Sequence, residues 1–107
     1  MSNSLPWHDA REACIAMGAH LMEIRTQEEL DIAIAYSGVV PLWIGGSEIQ
    51  EEGNWVWDSN QEEVNPNEFW YDYAPPYDSE RSCLAVSYDG FVDSRCSCLA
   101  KFICEFN

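Results

Sequence analysis

The sequence predicts an α+β fold in which two helices precede short antiparallel strands that disulfide bonds hold together. Up to Gly38 the apolar residues recur with helical spacing, and beyond it short apolar runs alternate with turn residues. Five cysteines in 107 residues favour an oxidising, extracellular environment. A chain of this length is expected to form one domain, which we place over residues 1–107.

The first predicted helix lies in residues 5–21, LPWHDAREACIAMGAHL. Its apolar residues recur at three- and four-residue intervals, so they share one face. That face consists of Trp7, Ala10, Cys14 and Met17. Pro6 suits the first turn of the helix and Gly18 suits its end. Cys14 is therefore expected to point into the core.

The second predicted helix lies in residues 25–38, RTQEELDIAIAYSG. Thr26 and Glu29 have the spacing of a capping box, in which each side chain bonds the backbone N–H of the other residue. The buried face is assigned to Leu30, Ala33 and Ile34. Gly38 is expected to end the helix.

Short strands separated by turns follow Gly38. One apolar run, PLWIGG, ends in a double glycine. The next, GNWVWDSN, alternates so that Trp55 and Trp57 share one face and Val56 lies on the other. A hairpin is predicted within SCLAVSYDGFVDS, with Asp89 and Gly90 as its two-residue turn. The last predicted strand is AKFICEF.

A long irregular segment, at residues 58–82, connects the tryptophan-rich strand to the hairpin and contains three prolines. A loop of this length in a compact domain is usually functional. Phe69 and Trp70 are expected to anchor the segment on the core. Tyr71, Tyr73 and Tyr77 are expected to reach solvent, where tyrosines commonly act as binding hot spots.

The chain is strongly acidic, with 19 Asp and Glu against 5 Lys and Arg and a net charge of −14. Between Glu48 and Glu80 there are ten carboxylates and neither Lys nor Arg. This charge repels phosphates, so nucleic acids and anionic membranes are excluded as partners. Membrane insertion is not expected, since no stretch approaches the ~20 apolar residues of a span. Basic surfaces, metal cations and minerals fit the charge; the alternative is an acidic surface that serves only solubility.

The order of these features resembles the C-type lectin-like domain family. The likeness is carried by WHDAREACIAMGAHLMEIRTQEEL, LWIGG, GNWVWD, CLAVSYDGFVDSRC and FICE, in the family's order. It covers nearly the whole chain, except that only residues 1–6 are available for the family's first strand. The resemblance implies a C-type lectin-like fold, in which two helices flank small antiparallel sheets with a long irregular loop.

The family's disulfide pattern implies two bonds in this chain. In the family, the first-helix cysteine pairs with one in the last strand, and two late cysteines bridge the hairpin region. Carried over, Cys14 pairs with Cys104, and Cys83 pairs with Cys96. Cys98 is then left over, either as a buried free thiol or as a bridge to a second chain, which would give a homodimer.

Sugar-binding members of the family hold a calcium ion between the long loop and the hairpin, which requires several converging oxygen ligands. The family's Trp-Asn-Asp reads Phe91-Val92-Asp93 here, so Asp93 is kept but Val92 supplies no oxygen. Pro75 takes the position of the family's loop proline, with no ligating side chain on either side.

The remaining candidate metal ligands are Asp93, Asp78 and Glu80, with Asn65 and Asn67 available if the loop is rearranged. Two or three oxygens would make a weak site. No cofactor is therefore expected, and calcium at most weakly.

We expect a secreted, non-catalytic recognition module that binds a protein or glycan ligand through its acidic, tyrosine-rich long loop. The candidate ligand contacts are Tyr71, Tyr73, Tyr77, Asp78, Glu80 and Asp93. Two alternatives stay open: a calcium-dependent, carbohydrate-binding lectin, and an acidic protein associated with mineral or matrix. Nothing in the sequence fixes a catalytic geometry, so no catalytic residue is assigned and the protein is not expected to be an enzyme.

Overall fold

The computed structural model describes residues 4–37, 41–49, 54–64, 69–70, 82–88 and 90–106. In chain order its elements are α1 (Trp7–Ala16), β1 (His20–Leu21), α2 (Gln27–Ser37), β2 (Leu42–Ser47), β3 (Val56–Trp57), β4 (Cys83–Ser87), β5 (Gly90–Ser94) and β6 (Cys104–Glu105). These helices and antiparallel sheets confirm the predicted α+β class.

Helix α1 begins directly after Pro6, whose φ of −62° suits a helix start. The predicted apolar face is buried at Trp7, Ala10 and Cys14. The prediction for Met17 is wrong, because the helix ends at Ala16 and the Met17 side chain is 55% exposed. Gly18 follows with a φ of +78°, the left-handed conformation that commonly ends a helix.

Helix α2 carries the predicted capping box. The Glu29 N–H donates to Thr26 Oγ1 at 3.1 Å, and the Thr26 N–H donates to Glu29 Oε1 at 3.2 Å. Leu30 and Ala33 are buried, whereas Ile34 is only partly buried against the core. The helix extends to Ser37, and Gly38 lies outside the described residues.

Two antiparallel sheets organise the strands. The larger has the order β3-β2-β4-β5, and the smaller pairs β1 with β6. The smaller sheet sets His20 opposite Glu105 and Leu21 opposite Cys104, so it ties the end of the chain to the residues after α1. Ahead of α1, Leu5 forms an isolated bridge with Ala100, where the family's first strand was expected.

The β4–β5 hairpin differs by one residue from the prediction. Its register pairs Ser87 with Gly90, so Gly90 begins β5, and Asp89 lies outside the described residues. Gly90 has a φ of +106°, and a Cβ there would collide with the Phe69 carbonyl oxygen. Glycine is therefore needed at position 90 both for this positive φ and for the close approach of Phe69.

Buried apolar side chains form two clusters. The main core contains Trp55 and Trp57, which confirms their shared face, while Val56 is buried outside this cluster. The second cluster gathers around Trp7 and includes both Cys14 and Cys83. Trp7 is fixed there because its indole N–H donates to the Ile44 carbonyl at 2.9 Å.

Disulfide bonds join Cys14 to Cys104 and Cys83 to Cys96, the pairing that the family resemblance implies. They link residues 90 and 13 positions apart. Cys98 is free and exposed, so the alternative of a buried thiol is wrong.

Candidate ligand-binding site

Most of the predicted ligand contacts belong to the long segment, and the structure does not describe them. Those outside the described residues are Asn65, Asn67, Tyr71, Tyr73, Tyr77, Asp78 and Glu80. Asp93 is described. It lies on β5 opposite Leu84 and is partly exposed. The structure therefore shows the hairpin side of the candidate site and the base of the long segment.

On the hairpin side of the candidate site, Asp93 carries a carboxylate that could bind a metal ion, whereas the neighbouring Val92 carries no oxygen in its side chain. Val92 is partly buried and packs against the second core cluster. Within the described part of the chain, no three or more His, Cys, Asp or Glu side chains lie close enough to share a metal ion. A calcium ion at Asp93 would therefore need its other side-chain ligands from elsewhere.

The long segment is anchored on the core by aromatic side chains, as predicted for Phe69 and Trp70. Both are buried, at 5% and 3% exposure. The Trp70 ring meets Trp55 edge-on, with centroids 5.0 Å apart, and Phe69 meets Phe91 at 5.8 Å. Such perpendicular pairs stabilise beyond their buried area, so the middle of the segment is tied to β5.

The start of the long segment is held by a turn at residues 58–60, which charged side chains fix from two sides. From α1, Arg11 Nε donates to both carboxylate oxygens of Asp58, at 2.9 and 2.8 Å. From the chain after β1, the buried Glu23 carboxylate accepts bonds from the Ser59 N–H at 2.8 Å and the Ser59 hydroxyl at 2.7 Å. We call this arrangement the 58–60 clamp.

Arg25 completes the 58–60 clamp from the solvent side. Its Nη2 lies 3.1 Å from Glu23 and 3.5 Å from Glu62, and its guanidinium stands 5.7 Å above the Trp57 ring. Its Nη2 also donates to Asn60 Oδ1 at 3.4 Å. The one cation therefore links a buried carboxylate, an aromatic face and the turn itself.

The other end of the segment is held close to the same strand. The Glu48 N–H donates to the Ser82 carbonyl at 2.9 Å, and the Ser82 hydroxyl donates to Glu48 Oε2 at 3.4 Å. Directly before Glu48, Ser47 is paired with both Val56 and Cys83. The end of β2 is thus a common base from which the long segment departs and to which it returns.

A match between the sequence and the model of a known family identifies the family of this chain. The model of the family described as "Lectin C-type domain" matches residues 3–106. The chain belongs to the C-type lectin family.

Relatives of this C-type lectin domain include the CD209 antigen of Homo sapiens, which is 34% identical over 98% of the chain. C-type lectin domain family 4 member M of Symphalangus syndactylus is 32% identical over 98% of the chain. The chain spans only 27% and 26% of these two relatives, respectively.

Solved structures share the fold of this C-type lectin domain. Herring type II antifreeze protein superposes with a TM-score of 0.81 at 26% identity, covering 94% of this chain and 82% of that one. The carbohydrate-recognition domain of the mouse scavenger receptor C-type lectin gives a TM-score of 0.86 at 22% identity, covering 100% and 86%. At 22% identity, the likeness to the mouse scavenger receptor domain concerns the fold alone.

C-type lectin domains are generally non-catalytic recognition modules for glycans or proteins, found in extracellular proteins or membrane receptors. Among the described residues of this one, no helix has the length and apolar character needed to span a bilayer.

The acidic stretch of this C-type lectin domain is less uniform than its sequence indicates. Glu48 is only 2% exposed, and Asp58 is paired with Arg11. Glu62 remains 66% exposed, and Glu63 is exposed as well. Glu48 and Asp58 therefore serve the fold, and among the described carboxylates of this stretch Glu62 and Glu63 are the exposed ones.

Sequence reasoning missed the 58–60 clamp of this C-type lectin domain. Glu23 sits in an apolar stretch, LMEI, where a lone carboxylate between buried residues signals a buried polar partner. The sequence around Glu23 does not identify that partner, because Ser59 is 36 positions away.

Proposed function

We propose that this C-type lectin domain is a secreted, non-catalytic recognition module for a protein or glycan ligand. The ligand contacts the β4–β5 hairpin together with segment 58–82, and binding needs no calcium ion shared between them. One observation carries the proposal: on the hairpin, the position beside Asp93 holds Val92, whose side chain packs against the core.

The chemistry of calcium supports this assignment. The ion takes about 6–8 oxygen ligands, and each lost side-chain ligand weakens a site of this kind. Asp93 alone contributes one carboxylate from the hairpin, and an aliphatic neighbour cannot replace a missing oxygen. The ligand surface is instead supported from beneath by Trp70 packed on Phe91 and by the 58–60 clamp at the start of the segment.

Calcium titration tests the proposal. The melting temperature should not rise on adding millimolar calcium, and binding to a glycan array should not change with chelator. A crystal grown in calcium that showed an ion ligated by Asp93 with Asn65 or Asn67 would replace this proposal by the calcium-dependent lectin.

Negative charge near the start of the segment supports the proposal that the partner has a basic surface. Glu62 and Glu63 are exposed at the start of the segment, in a chain of net charge −14. Exposed charges act mainly on association rates and are screened within about 8–10 Å by salt. Reversing both to Lys should slow association with a basic partner. The matched control replaces Glu28 and Asp31 on α2 by Lys, which changes the net charge by the same amount. If both pairs of substitutions slowed association equally, the effect would come from the net charge and not from a surface at Glu62 and Glu63.

Cys98 supports a covalent homodimer as part of the same proposal, since its thiol is free and exposed in a disulfide-bonded domain. Non-reducing electrophoresis should show a dimer that Cys98→Ser removes, with the melting temperature of each domain unchanged. A monomer under oxidising conditions, in a protein whose Cys98 reacts freely with a thiol reagent, would refute the dimer and leave the ligand surface unaffected.

A second candidate, binding to an extended crystalline surface, is favoured by the 26% identity to herring antifreeze protein. Adsorption to calcium carbonate, and freezing-point depression beyond that of an equally acidic control protein, would measure it. Activity above that control in either assay would favour this candidate over a soluble glycan or protein ligand.

A further inference from the structure

A small open pocket lies between α1 and the β2–β3 edge of the larger sheet. Its volume is about 180 Å³. The lining residues are Trp7, His8, Arg11, Ser47, Ile49, Asp58 and Gln61. Asp93 lies on β5, at the opposite edge of the sheet order β3-β2-β4-β5, so this pocket is separate from the hairpin surface proposed above.

Three polar groups around the pocket have no hydrogen-bond partner in the described part of the chain. They are the ring nitrogens of His8, the hydroxyl of Ser47 and the carbonyl oxygen Oε1 of the Gln61 side chain. The Gln61 amide nitrogen, by contrast, makes bonds of 3.4 and 3.3 Å to the carbonyls of Trp57 and Asp58. His8 and Gln61 are exposed and Ser47 is partly exposed, so these donors and acceptors are open to a ligand in place of water.

The opposite charges of the lining residues Arg11 and Asp58 cancel each other. Arg11 Nε contacts both oxygens of Asp58, so the guanidinium and the carboxylate already neutralise each other. A ligand carrying a net negative charge would also meet the repulsion of a chain of net charge −14. A cation would find no unpaired carboxylate in the lining, because Asp58 already bonds Arg11, so the pocket favours a ligand without net charge.

The apolar part of the lining is rigid on one side and exposed on the other. Trp7 is 2% exposed and bonded to the Ile44 carbonyl, whereas the Ile49 side chain is 46% exposed. A ligand with C–H groups as well as hydroxyls can use both kinds of surface. The volume is below the roughly 300–1,000 Å³ of drug-sized ligand sites, and at about 30 Å³ per water it would hold about six waters. This leaves room for one ring.

Gln61 gives an independent sign that the pocket is a site. Its φ of +60° is the one positive value among the described non-glycine residues. Residues held in sparsely populated conformations concentrate at functional sites. Here the conformation is fixed by the bond from the Gln61 N–H to the Trp57 carbonyl at 2.8 Å.

We propose that this pocket binds a neutral polyhydroxylated ring of single-sugar size, independently of calcium and of the hairpin surface. The unpartnered groups of His8, Ser47 and Gln61 bond the hydroxyls. Ile49 covers the C–H face of the ring.

Amide NMR titration with methyl glucoside in the presence of chelator tests the proposal. Binding should be weak, with a Kd on the order of 1 mM for so small a ligand. The shifts should concentrate at Ser47, Ile49, Asp58 and Gln61. Glucuronate has the same ring with a carboxylate, and it should bind more weakly.

Two variants remove the proposed contacts while retaining the backbone. Gln61→Gly deletes the amide at a position where glycine adopts the observed φ freely, and Ser47→Val deletes a hydroxyl within a strand. Each should weaken binding about 3- to 10-fold, the effect of one lost neutral hydrogen bond. Glu28→Gln, exposed on α2 away from the pocket, and Asp93→Asn, on the hairpin, should leave it unchanged.

The opposite results would overturn the proposal. These are the absence of shifts with methyl glucoside, shifts confined to residues 82–94, or equal binding by Gln61→Gly and the unaltered protein. Tighter binding of glucuronate would contradict the charge argument. Because the titration contains chelator and is read at the α1 side of the sheet, none of these outcomes depends on the hairpin surface.

Discussion

Replacing Glu23 by Ala should destabilise the protein and release the start of the long segment. The side chain of Glu23 is 1% exposed, and its two oxygens accept both bonds from Ser59. Arg25 lies 3.1 Å from the same carboxylate. No other described side chain bonds Ser59, so the 58–60 clamp on this side depends on Glu23.

The magnitude follows from the exposure of each partner. A hydrogen bond to a charged group stabilises by about 1.5–3 kcal/mol, and two such bonds are lost. Ser59 is exposed, so water restores part of each bond and the lower end of the range applies. Arg25 is 40% exposed and stays hydrated, so no buried unpaired charge is left behind. The expected loss is about 2–4 kcal/mol in the free energy of unfolding.

Urea unfolding with the disulfides intact, followed by tryptophan fluorescence, measures this loss. The slope against urea should stay constant, because the surface exposed on unfolding changes little. Amide exchange at residues 59–61 should accelerate more than at β4. Glu62→Ala is the control, since Glu62 also faces Arg25 but is 66% exposed and should change stability by less than about 1 kcal/mol. A Glu23→Ala protein as stable as the Glu62→Ala protein would refute the reasoning.

Three further outcomes test the fold. Thr26→Ala should cost about 1 kcal/mol in urea unfolding through loss of the capping box, and no loss would mean that the box is not formed in solution. Gly90→Ala should destabilise the protein far more than Gly18→Ala in the same assay. Both glycines have positive φ, but only at Gly90 would a Cβ collide with backbone. Equal losses of stability would contradict the close approach of Phe69. Removing the disulfide between cysteines 90 positions apart should cost about 4.5 kcal/mol, against about 3 kcal/mol for the pair 13 apart, and the reverse order would argue against a chain-entropy origin.

The features that the sequence predicted correctly are those with a local or family signal. The capping box of Thr26 and Glu29 depends on residues three apart, and helical periodicity places Cys14 inside. The burial of Phe69 and Trp70 follows from their size within a polar segment. Each inference needed only the residue types and their spacing.

The features that were missed depend on contacts distant in sequence. Asp58 is 47 positions from Arg11, and no periodic pattern relates the two. At Gly90 the turn rule named a residue that does need to be glycine, but it could not anticipate the close approach of the Phe69 carbonyl. Where a segment meets another segment without regular structure, composition alone does not select the partner.

The acidic composition therefore serves two purposes, which the structure separates. Four of the carboxylates between Glu48 and Glu80 are described, and Glu48 and Asp58 bond Ser82 and Arg11 at the base of the long segment. Substituting either of these should reduce stability, because each carboxylate accepts a side-chain hydrogen bond at one end of the segment. Glu62 and Glu63 are exposed, so their charge acts on approaching partners with little effect on folding. The net charge thus overstates the charge that is free to act at this end of the protein, and the proposed ligand surface would depend on the shape held by the 58–60 clamp as well as on charge.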